Sequence, residues 1–126
     1  MTPHRLALAL LLAPLAALAQ DAVTTDGDKY TLVLENAQVR VLSYRDLPGQ
    51  RTHEHRHPAF VAVALAPFQR VLHLPDGKRM RREFRAGEVM WSDAQTHIGE
   101  NVGNTPTEVV LIELKPAPPT AACGSR

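Results

Sequence analysis

From residue 30 onward, apolar and polar positions exchange in short runs whose β-branched content and spacing predict strands rather than helices. Residues 30–34 and 39–44 alternate or run apolar, with Glu35 and Asn36 between them as a turn, and Leu47-Pro48-Gly49 then breaks the pattern. A third strand is expected over 55–65. It contains the apolar run 60–65 and is bounded by proline chemistry at Pro58 and Pro67. Residues 71–74 and 80–84 flank Pro75-Asp76-Gly77-Lys78, where Asp-Gly supplies the positive φ that a tight hairpin requires. Strands over 87–91, 96–101 and 109–114 bring the expectation to about eight main strands. With no helical period after residue 20 and no internal repeat, this predicts an all-β fold of one domain, a β-barrel or jelly roll. Along 60–65, Phe60, Ala62 and Ala64 alternate with Val61, Val63 and Leu65, so both faces of that strand are apolar. One face is expected to line the barrel and the other to meet a second sheet or a second copy of the chain, making a homodimer.

The N-terminal segment follows a different logic. Arg5 gives a short positive start, residues 6–13 are wholly apolar, Pro14 interrupts, and Ala17-Leu18-Ala19 places small residues before Gln20. Residues 1–19 therefore read as a cleavable signal peptide, with the mature chain exported to the periplasm or secreted. The apolar run is too short for a hydrocarbon core of about 30 Å, so no stable membrane insertion is expected. Of 14 basic and 13 acidic residues, the segment removes only Arg5, and 14 − 1 leaves 13 against 13. A neutral mature chain offers no electrostatic footprint for nucleic acid. The barrel domain is expected over 28–115. Residues 116–126 read as a flexible tail carrying Cys123, the only cysteine, which in an oxidising compartment is free or paired between chains.

Chemistry concentrates in two segments. The first runs from Gly49 through His53, His55 and His57; the second runs from Gly87 through Trp91, Asp93, Gln95 and His97 to Asn101. On a strand, side chains two apart share a face, so His55 and His57 project together about 7 Å apart at Cβ and can converge on one ion. His97 is the candidate third nitrogen. His53 lies on the same face, but three ligands over about 13 Å cannot all reach one ion from a straight strand, so His53 is the alternative member of the pair. Imidazole suits zinc, iron, nickel and copper alike.

These segments resemble the cupin superfamily in its small, single-domain, RmlC-like form. Gly49, five residues, then His55-x-His57 meets the first cupin motif; Gly87, His97 and Asn101 meet most of the second. The resemblance covers roughly residues 28–115 and implies a β-barrel holding a divalent metal at His55, His57 and His97, with a small-molecule ligand in the barrel. It departs from the pattern where metal-binding cupins usually carry a Glu ligand, since Val61 and Ala62 stand there, and where Asp93-Ala94-Gln95 replaces a Pro-x-Gly turn. Gln95, Asp93 or Glu54 could supply an oxygen, though each suits a turn or the surface. Trp91 reads as core packing or as a pocket wall near His97, Gln95 as a pocket residue, and Asn101 as a ligand-orienting group or a turn anchor. Two functional readings follow. One is a metal-dependent binding or enzymatic module for a small molecule, and the other a metal-free, non-enzymatic ligand-binding or interaction barrel. No phosphate loop, serine nucleophile or Cys-His pair is visible.

Overall fold

The apolar runs fold into ten strands and one helical turn: β1 (Gln20–Asp21), α1 (Ala22–Thr25), β2 (Tyr30–Glu35), β3 (Val39–Asp46), β4 (His55–His57), β5 (Phe60–Ala64), β6 (Phe68–His73), β7 (Arg79–Phe84), β8 (Val89–Ser92), β9 (Gln95–Asn101) and β10 (Thr107–Leu114). The structure is a computed structural model and describes residues 20–118; residues 1–19, expected to be a signal peptide, and Cys123 lie outside the described residues. Two five-stranded sheets, β1-β4-β9-β6-β7 and β2-β3-β10-β5-β8, pack face to face as a jelly roll rather than a closed barrel. Among the described residues no helix is long and apolar enough to cross a membrane.

The expected count of eight strands becomes ten for two physical reasons. The strand expected over 55–65 breaks at Pro58, whose missing N–H cannot continue a ladder, so β4 joins one sheet and β5 the other. Residues 20–27, ahead of the expected domain start, also pack into the fold. β1 runs parallel to β4 with Gln20 opposite His55. Asp21 then caps the single helical turn by accepting from the Val23 N–H at 3.0 Å. Ala22 is fully buried there. The hairpin between β6 and β7 forms as expected, with Leu74 N–H donating to Lys78 O at 2.9 Å and Gly77 at φ 84°.

The core lies between the sheets, where Tyr30, Leu42, Tyr44, Phe60, Phe68 and Phe84 are buried. The outer face of the second sheet is apolar as well. Leu34, Val41, Ile112, Val61 and Trp91 stand in register across all five of its strands. Leu34 and Trp91, at the two edges of this row, are 53% and 55% exposed.

Candidate metal centre

Strands β4 and β9 pair antiparallel with His55 opposite His97 and His57 opposite Gln95, and this register brings three imidazoles to one inner face. All three are buried, and each offers a nitrogen within 4.8 Å of the others. Their hydrogen bonds fix which nitrogens are free. His55 Nδ1 faces the His53 carbonyl oxygen at 2.9 Å, and His57 Nδ1 faces a Glu113 carboxylate oxygen at 2.6 Å. Both partners only accept, so each Nδ1 carries the hydrogen and each Nε2 of a neutral ring presents a lone pair. Those two Nε2 atoms lie 3.0 Å apart. Facing lone pairs at that separation repel, whereas two nitrogens bound at about 2.0–2.1 Å to one cation fall naturally about that far apart. His97 Nδ1 is buried with no hydrogen-bond partner. A divalent cation fits this donor set.

Electrostatics favour the ligating form. Burial, reinforced by the neighbouring His57, pushes His55 down to about 4, and burial together with His55 and His57 pushes His97 down to about 2. Around the rings, polar groups hold orientation in the manner of outer partners at metal sites. Glu113, buried on β10, accepts from His57 and from Arg40 Nε at 2.8 Å, and Arg40 also bonds Asp21. Asp26, buried beyond α1, accepts from the His53 backbone N–H at 3.1 Å and faces His53 Nδ1 at 3.0 Å. His53 itself has an 80% exposed side chain and stays outside the trio. The Tyr30 hydroxyl donates to His55 Nε2 at 3.1 Å.

No protein-family model matches the sequence, and no curated protein matches it. Solved structures do. A cupin domain from Bordetella pertussis Tohama I is 24% identical over 80% of this chain and 100% of its own, with a TM-score of 0.64. A double-stranded β-helix protein from Klebsiella pneumoniae is 23% identical over 68% of this chain and 74% of its own, with a TM-score of 0.55. A cupin 2 conserved barrel domain protein from Salinispora arenicola is 21% identical over 86% and 91%, with a TM-score of 0.54. The fold is a cupin fold.

Within this fold, the positions expected to carry a carboxylate are apolar in two different ways: Ala62 lines the inner cavity and Val61 points to the outer face. The trio contains no carboxylate. Glu54 and Asp93 are exposed, and neither joins it. Gln95 lines the cavity, its amide donating to Ser92 Oγ at 2.7 Å. Trp91 does not line it and is not core. Because it pairs with Val61 it shares that residue's outer face, where its indole N–H donates to Asp93 at 3.1 Å. Asn101 is a turn anchor rather than a pocket residue. Its side chain donates to Asp46 at 3.0 Å and to Thr105 O at 2.9 Å, and accepts from the Gly103 N–H at 3.0 Å. His73 faces Glu100 at 2.6 Å, away from the trio.

Sequence reasoning missed Glu113, Asp26 and Tyr30. A signal existed for Glu113, the polar member of the inward series Val109, Leu111, Glu113, all three of which are buried. Asp26 lies outside the domain expected over 28–115, and local pattern marks Tyr30 only as a strand residue.

Proposed function

We propose that this chain is an exported cupin that holds one divalent metal through His55, His57 and His97 and admits a small molecule to the adjoining cavity. The observation that carries the metal is the facing pair of Nε2 lone pairs, each set by an acceptor behind its ring. A metal held by three neutral imidazoles keeps its full charge and acts as a Lewis acid toward an oxygen of water or of a bound ligand. The protein's own part is to keep His55 and His97 neutral by burial, to fix the tautomers of His55 and His57 through the His53 carbonyl and Glu113, and to surround the rings with apolar wall. The metal is zinc, iron, nickel or copper on donor chemistry. The Tyr30 hydroxyl on His55 Nε2 favours a second reading, a metal-free ligand-binding barrel, because it satisfies one of the lone pairs without an ion.

Elemental analysis of untagged protein, followed by titration of each metal into wild type and His97→Ala, separates the two. Stoichiometric binding lost in His97→Ala is the expected result; equal, weak binding by both ends the metal reading. With His55 at about 4 and His97 at about 2, proton competition at these two rings does not set in at the ordinary histidine value of about 6.5. Both stay mostly neutral well below that value, His55 being half-protonated at about 4, so neither of these two rings is expected to cost metal near neutral pH. The apolar outer face of the second sheet further supports a homodimer, since a register-matched row of large side chains is the kind of surface an obligate interface buries.

A further inference from the structure

Inside the cavity lies a cation that the metal centre does not use. Arg70, on β6, is 8% exposed, forms no ion pair among the described residues, and leaves its Nε buried without a hydrogen-bond partner. Its Nη2 reaches only the Tyr44 hydroxyl, at 3.5 Å, and the guanidinium carbon lies 4.9 Å from the centre of the Tyr44 ring. The buried carboxylate of Asp46 forms no ion pair with Arg70; it accepts from the Tyr44 hydroxyl and from Asn101. A buried guanidinium with no carboxylate partner is costly, and its planar fork matches a carboxylate. The chain makes deliberate room for it: a Cβ at Gly99 would fall 1.9 Å from Arg70 Nη2. Gly99 follows His97 by two on the same face of β9, so the guanidinium sits about 7 Å along the strand from the third imidazole.

We infer that Arg70 makes the cavity beside the histidines a receptor for a small carboxylate with a short apolar body. Space open to the centres of water-sized molecules is about 60 Å³, room for a few heavy atoms, and the walls at Phe60, Phe68, Leu72 and Phe84 are apolar. Exposed Arg82 also lines the cavity and adds attraction for an anion. The inference deepens the proposed function and rests on it only for what the carboxylate meets beside Arg70.

Calorimetry with butyrate and butyramide, on zinc-titrated and on metal-free protein, tests it in wild type, Arg70→Met, Arg70→Lys and Gly99→Ala. Zinc affinity is measured first and independently in each. Wild type is expected to prefer butyrate by roughly tenfold or more, because a desolvated charge pair is worth at least that much. Arg70→Met is expected to lose the preference while holding zinc as wild type does, and Arg70→Lys to keep part of it. Gly99→Ala retains the charge but displaces the guanidinium, and is expected to lose the preference too; it decides the matter if Arg70→Met does not fold. If zinc fails to bind, the metal reading falls and the butyrate preference of the metal-free protein judges Arg70 alone. Equal binding of acid and amide by wild type, no binding of either, or a preference that survives in Gly99→Ala overturns the inference.

Discussion

Glu113 shows how a single side chain can direct a site it does not enter. It accepts the His57 Nδ1 hydrogen while Arg40 holds its other oxygen, so its charge is compensated on both sides although it is buried. Glu113→Gln keeps the shape and removes the charge, leaving Arg40 to Asp21 and letting the His57 ring choose its tautomer. Metal affinity is expected to fall about 10- to 100-fold, the usual cost of losing such an outer partner. A competition titration against a chromophoric chelator, with circular dichroism to confirm folding, checks this; an affinity within about twofold of wild type would remove Glu113 from the site. At this scale the sequence was half legible. His55, His57 and His97 announce themselves because ligand spacing on a strand is local, and the exposed His53 lies outside the trio. Glu113 and Asp26 reach the rings across 56 and 27 positions of chain, a proximity that exists only once the strands are in register.

At the scale of elements, the hairpin at Asp76-Gly77 and most strand runs were readable because alternation and turn chemistry are short-range signals. The division of β4 from β5 was not, since an apolar run does not say which sheet each half joins. The N-terminal elements were hidden for another reason: β1 and α1 together span only six residues, too few to show a period. They nevertheless support the site, as Asp21 bonds Arg40 and Asp26 braces His53. If a signal is removed after Ala19, the mature chain starts on β1. Protein recovered from an exporting host is expected to begin at Gln20 by intact mass. A chain cut back to residue 28 is expected to lose about 2 kcal/mol or more in urea unfolding, given the charged hydrogen bonds it forfeits. Equal midpoints for the two forms would assign residues 20–27 no supporting role.

For the whole molecule, the jelly roll separates two apolar surfaces by one sheet: an inner cavity and an outer row from Leu34 to Trp91. The dimer proposal places a second copy on the outer row, so Ile112→Lys, a charge in its middle, is expected to yield monomers in light scattering while leaving metal stoichiometry intact. Wild type that remains monomeric at high concentration would end the proposal. Trp91, the only tryptophan, stands on that outer face with more than half its surface in solvent, while the histidines lie behind the sheet. Under the dimer proposal, this indole is an optical gauge of association. Diluting it should move the indole emission to the red as copies part, whereas adding metal to the interior should leave the colour of that emission unchanged.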